Sequence, residues 1–120
     1  MLCLRPVYDT GPLLIVEKYE QFLHYCYPIA QNIDRRHGVA KQMFLACLLG
    51  QVDLFVSAAK TDQISRAYQA DAGLANLRYW LRFLTHIRAV TPRQHQTASL
   101  LLAEPGKLLG AWILRKKGKG

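Results

Sequence analysis

Arg78, Arg82 and His86 stand four residues apart, a spacing that lines them up along one flank of a helix. A row of cations on a helix neutralises phosphates and releases their counterions, giving salt-sensitive affinity that tolerates sequence. Arginine adds a bidentate grip on phosphate and a planar group that stacks on bases. Arg88 and Arg93 follow close behind, and every Lys/Arg position from Arg78 to Arg93 is arginine. Arg115, Lys116 and Lys117 supply a second basic group. These eight residues are the candidate contacts for nucleic acid or for a protein partner. Arginine also packs well at protein interfaces, so residue type alone leaves the partner open.

The distribution of charge sharpens this. The 120 residues carry a formal net charge of +8. Residues 1–71 hold seven Lys/Arg against seven acids, whereas residues 72–120 hold nine against Glu104 alone. The whole excess therefore lies in the second half, which points to a polyanionic partner. The alternative is a basic surface that serves solubility alone.

Other chemistry finds little support. Phosphate-cradling GxxxxGK[ST] and GxGxxG loops and the HExxH metal motif are missing from the sequence. His24, His37, His86 and His95 fall on different segments, and no pair of carboxylates spans a plausible cleft. His86 could act as an acid or base, but its place in a basic row suggests a polar contact or a role in folding. Asp53 stands alone and reads as hydrogen-bonded or solvent-facing. Cys3, Cys26 and Cys47 are an odd set without CxxC spacing, and Cys26 and Cys47 fall within apolar helical patterns, so these two read as small buried hydrophobes in a reducing cytosol. No catalytic residue, metal site or cofactor is expected.

The elements that must position the arginines are helical throughout. Leu74, Leu77, Leu81 and Leu84 recur at spacings of three and four, the seam of a packed helix. That helix is expected from about Gln63 to Ala89, capped by Thr61 and Asp62. Tyr79 and Trp80 lie off its seam and should pack on another helix or another chain. After an arm over residues 1–9, Thr10, Gly11 and Pro12 signal a first helix running to about Ile33. Its stripe is Val16, Tyr19, Phe22, Leu23, Cys26, Ile29, Ala30 and Ile33, and Pro28 should kink it or end it early. Its tyrosines, Tyr19, Tyr25 and Tyr27, suit a core or an interface better than base stacking.

A second helix is expected from Val39 to Lys60, after the polar loop of residues 32–38. Its apolar face, Met43, Phe44, Cys47, Leu48, Val52, Phe55, Val56 and Ala59, is broad enough to need more than one neighbour. Met43 to Ala59 is interrupted by Gly50, Gln51 and Asp53, short of the ~20 apolar residues of a membrane span. A soluble, cytoplasmic protein is expected. Thr91, Pro92 and Gln94 form a capping-box start for a fourth helix, buried through Ala98, Leu101, Leu102, Leu108, Leu109, Trp112 and Ile113. Glu104-Pro105-Gly106 should kink it, and residues 115–120 read as a frayed basic tail. Four amphipathic helices with short connections predict a single all-α domain over residues 1–120, an antiparallel up-down-up-down four-helix bundle.

Residues 76–113, NLRYWLRFLTHIRAVTPRQHQTASLLLAEPGKLLGAWI, resemble the second half of the accessory variability determinant (Avd) proteins of diversity-generating retroelements. The likeness rests on Leu77-Arg78 and Leu81-Arg82, a short turn, and a helix ending with Glu104, Gly106, Lys107, Leu109, Gly110 and Trp112. The first half is similar more loosely, through Tyr8, Asp9 and the RRHG turn. Pro105 departs from the pattern, where an apolar helix former is expected. The resemblance implies a four-helix protomer assembled as a homopentameric barrel. It also implies a non-catalytic protein that binds the element's reverse transcriptase and its template-repeat RNA (or DNA), supporting mutagenic cDNA synthesis and retrohoming. The four-helix proteins encoded by ribosomal RNA intervening sequences share the bundle. A protein of that kind, or a structural oligomer without a reverse-transcriptase partner, is the alternative.

Overall fold

The computed structural model describes residues 10–118. Four helices make up the described chain: α1 over Thr10–Gln31, α2 over Gly38–Thr61, α3 over Ile64–His86 and α4 over Pro92–Gly118. A single 3-10 turn, Arg35–His37, links α1 to α2. The helices touch in a ring, α1 on α2, α2 on α3, α3 on α4 and α4 back on α1. This is the four-helix bundle that the sequence predicts. The arm over residues 1–9 lies outside the described residues.

Each helix contributes one stripe to the core at spacings of three and four. On α1 it is Ile15, Tyr19, Phe22, Cys26 and Ala30, and on α2 Phe44, Leu48, Gln51, Phe55 and Ala58. On α3 it is Ala67, Ala70, Leu74, Leu77, Leu81 and Leu84, and on α4 Ala98, Leu102, Pro105, Leu109 and Trp112. The Tyr19 hydroxyl donates to the Leu48 carbonyl, so the largest polar side chain of α1 enters the core with its one donor satisfied.

Several boundaries differ from the sequence reading. α1 continues three residues past Pro28 and ends at Gln31, before Ile33. Asp62 closes α2 rather than opening α3. It adopts a left-handed conformation, φ 55°, and its N–H donates to the Ala58 carbonyl at 3.0 Å. Asp is among the few residues that tolerate that backbone, so it can serve here as the helix stop. The α3 N-cap is Gln63, which makes no side-chain capping bond. At the other end, α3 stops at His86, short of Ala89, because the Ala89 and Val90 N–H groups turn back to the Leu84 carbonyl.

The α4 start is as expected. The Gln94 N–H donates to Thr91 Oγ1 and the Thr91 N–H donates to Gln94 Oε1, each at 3.0 Å. α4 runs unbroken through Pro105, and Arg115, Lys116 and Lys117 lie in its last helical turn, where the sequence predicts a frayed tail over residues 115–120. Cations there complement the negative end of the helix dipole. Residues 119–120 lie outside the described residues.

The broad face of α2 is only partly covered. Phe44, Leu48 and Phe55 are buried, whereas Met43 and Val56 are 48% and 44% exposed and Val39 is 82% exposed. Counted as a whole, residues 35–61 are long and apolar enough, by length and composition, to cross a membrane. The stretch Met43–Ala59 alone is shorter than a span. In the bundle that helix packs against both α1 and α3.

Candidate nucleic-acid interface

α3 positions the arginine row. Its leucine seam faces inward, and at 100° per residue the row falls on the flank toward α4 and outward. Arg78, Arg82 and His86 are all exposed. Arg78 reaches across to α4, and its Nη2 would lie 2.9 Å from a β-carbon placed on Gly106. A side chain at 106 would displace the end of the flexible, exposed Arg78 side chain. Leu109 and Trp112 of the same segment are buried in the core. At Gly110 an added β-carbon meets no neighbour. The Arg82 guanidinium lies 5.9 Å from the centre of the Tyr79 ring, within cation–π range.

The α3–α4 turn extends the row. Arg88 takes a left-handed backbone, φ 65°, and its N–H donates to the Thr85 carbonyl at 3.0 Å. That conformation lets the chain leave α3 while keeping Arg88 exposed. Thr85, His86, Arg88, Val90, Thr91 and Pro92 line an open surface depression of about 500 Å³. Arg93 is exposed in the first turn of α4, where backbone N–H groups add partial positive charge. Arg78, Arg82, His86, Arg88 and Arg93 thus follow one another along α3 and around the turn.

The other three candidates lie elsewhere. Arg93 and Arg115 are separated along α4 by about 33 Å, at 1.5 Å per residue. Arg115 and Lys117 are exposed. Lys116 is engaged within the molecule: its Nζ lies 3.0 Å from Asp62 Oδ2 and 6.0 Å from the centre of the Trp112 ring. It ties the end of α4 to the α2–α3 connection. The eight residues form two basic groups, one running from the middle of α3 to the α3–α4 turn and one at the C-terminal end of α4.

Two features escaped the sequence reading. Tyr79, Trp80 and Phe83 form a ring cluster on α3, and Trp80 also packs against the core. The Tyr79 and Phe83 rings lie nearly parallel, 15° apart with centroids at 6.3 Å, and Trp80 meets both edge-on. The signal was available, since residues 79 and 83 are one turn apart beside the arginine row. The second is Gln51, read as an interruption of an apolar run. It is fully buried and donates from Nε2 to the Ala70 carbonyl at 2.8 Å, against the notch left by Gly73.

The buried ionisable groups are core packing. Burial pushes the Cys26 thiol up to about 12 and raises Cys47 and, more strongly, Tyr19. At neutral pH all three stay protonated, so neither thiol is poised as a nucleophile. Among the described residues, no group of three or more His, Cys, Asp and Glu is placed to hold a metal ion.

An all-helical, four-helix bundle presenting a basic row from α3 into α4 defines the class of this protein: a compact helical scaffold that displays charge. The model of the bAvd-like family matches residues 13–116, nearly the whole described chain. The chain belongs to that family, which places it among Avd-type accessory proteins. No match is found among curated proteins.

Proposed function

We propose that this protein is a non-catalytic accessory subunit of a diversity-generating retroelement. It binds the element's reverse transcriptase and template-repeat RNA, and so supports mutagenic cDNA synthesis and retrohoming in the cytoplasm. The observation that carries this reading is the exposed run Arg78, Arg82, His86, Arg88 and Arg93 along one helix and around its turn. Membership of the family supports the retroelement context. The protein works as a homopentamer, in keeping with the apolar positions that α2 leaves uncovered, among them Val39, Met43 and Val56. Five copies multiply the basic surface fivefold, a strong attractive field for RNA.

Co-purification with the reverse transcriptase encoded beside this gene, across a salt series and with or without template-repeat RNA, tests the reading. A stoichiometric complex is expected, with RNA affinity falling steeply as salt rises. Arg78→Ala with Arg82→Ala should weaken binding and lower the log–log salt slope by about 1 per arginine lost. A folded double variant that binds both partners as the parent does would sink the site assignment. Association with neither partner, from a well-folded oligomer, favours the alternative that the uncovered α2 face raises: a structural oligomer whose charge serves solubility.

A further inference from the structure

The outer face of α3 carries more than charge. Residue by residue around the helix, the arginine row gives way to Tyr79, then to Phe83 and Trp80. Tyr79 is half exposed, while Phe83 and Trp80 are half buried and packed against it. Three rings in mutual contact hold Tyr79 in a fixed orientation at little entropic cost. Arg82 lies over the Tyr79 ring, and Arg78 stands one turn earlier on the same flank.

We propose that this face is a stacking platform for unpaired bases of a single-stranded nucleic acid, with Tyr79 taking a base and Arg78 and Arg82 holding the flanking phosphates. The proposal rests on the reading that the arginine row meets nucleic acid, and it adds the form of that nucleic acid.

The physical case is an alternation of ring and cation. Single-strand binding combines a positive surface that follows the backbone with aromatic faces on which bases stack. A duplex hides its base faces, so it could use the arginines but not Tyr79. Arg78 and Arg82 are separated by about 6 Å along the helix axis, with Tyr79 between them in sequence. An incoming base takes the ring face that the Arg82 guanidinium covers, and the guanidinium swings to the adjoining phosphate. That exchanges one cation–π contact for a base–ring stack and a charge-assisted hydrogen bond. A protein partner is the less apt occupant. Here the exposed ring is bordered by arginines, whereas the apolar exposure on α2 has Met43, Leu49 and Val56 without interleaved cations.

The test compares three probes of about 12 nucleotides: a single-stranded oligoribonucleotide, an abasic strand of the same charge, and a duplex. Each is titrated by fluorescence anisotropy against the full-length protein and its Tyr79→Leu, Tyr79→Phe and paired Arg78→Ala/Arg82→Ala variants. Tyr79→Leu keeps apolar area but removes the ring. It is expected to weaken the intact single strand by about 5- to 150-fold, the effect of losing one stacked base. Abasic and duplex affinities and the salt slope should hold, Tyr79→Phe should restore binding, and sedimentation should show an unchanged oligomer. Unchanged single-strand binding by Tyr79→Leu, or an equal loss on the abasic strand, would overturn the platform. So would a change of oligomeric state in Tyr79→Leu, because the ring would then belong to a protein interface. If the arginine variant weakens binding while Tyr79→Leu does not, the platform falls and the phosphate contacts stand. If the arginine variant binds every probe as the parent does, both readings fall.

Discussion

α2 and α3 lie side by side and bury themselves by the same means, yet they offer opposite surfaces to the outside. Each sends a stripe at spacings of three and four into the core, Phe44, Leu48, Phe55 and Ala58 on one, Leu74, Leu77, Leu81 and Leu84 on the other. Outside the core α2 exposes Met43, Leu49 and Val56, and α3 exposes Arg78, Arg82 and His86 beside Tyr79. The inner faces answer to one requirement, removal of apolar area from water, and are interchangeable in kind. The outer faces are free of that requirement, so their residues report what each helix meets. Uncovered apolar side chains suit another protein surface, and a basic aromatic face suits a polyanion.

If the inner faces are equivalent, equal damage to them should cost the same. Leu77→Ala and Leu48→Ala, both fully buried, should each destabilise the fold by about 2–5 kcal/mol, the usual range for truncating a packed leucine. Urea unfolding with an unchanged m-value checks this. Arg78→Ala, on the exposed side of the same helix, should stay within about 0.5 kcal/mol of the parent. A large loss at Arg78 would mean that its reach over Gly106 holds α3 to α4. The division of α3 into a structural face and a binding face would then fail.

A smaller effect is expected where the two helices meet. A β-carbon on Gly73 would lie 2.0 Å from Gln51 Oε1 and 2.8 Å from Leu54 Cδ1, so Gly73→Ala must displace a buried amide. Overpacking typically costs about 1–3 kcal/mol, and the better helix propensity of alanine offsets up to about 1 kcal/mol of it. A net loss of about 1–2 kcal/mol is expected, recovered in part when Gln51→Ala is added to the same chain. Strict additivity of the two substitutions would show that the notch and the amide are not coupled.

The contrast between the helices was only half legible in the sequence. The seams were readable because apolar periodicity is local and burial enforces it at every turn. The Thr91–Gln94 capping box was readable for the same reason: spacing along one helix decides it. What failed was whatever depends on a neighbour. Asp62 looks like an N-cap by type, but its left-handed backbone stops α2 instead. Gln51 looks like a break in an apolar face, but the Ala70 carbonyl across the interface makes it part of the core. Lys116 counts as free charge in the sequence and is paired with Asp62 from a distant element. Tyr79 and Phe83 needed only their own helix, and their contact was missed because the leucine seam drew the reading inward.

The smallest effect on stability belongs to the outer faces, and there the comparison can be made sharpest. Met43→Lys with Val56→Lys on α2 and Arg82→Ala on α3 all change exposed side chains. Each should leave the unfolding free energy within about 0.5 kcal/mol of the parent. Their functional consequences should separate. Met43 borders an open groove of about 310 Å³ between α2 and α3, lined also by Ala46, Cys47, Gly50 and Leu54, so a lysine there places charge on the uncovered apolar face. If that face joins protomers, the α2 variant should sediment as a smaller species while its isolated bundle keeps its helical signal. Arg82→Ala should sediment with the parent and lose only affinity for nucleic acid. Dissociation caused by Arg82→Ala, with α2 indifferent to its lysines, would reverse the assignment: the basic face would join the copies, and the apolar face would need another occupant.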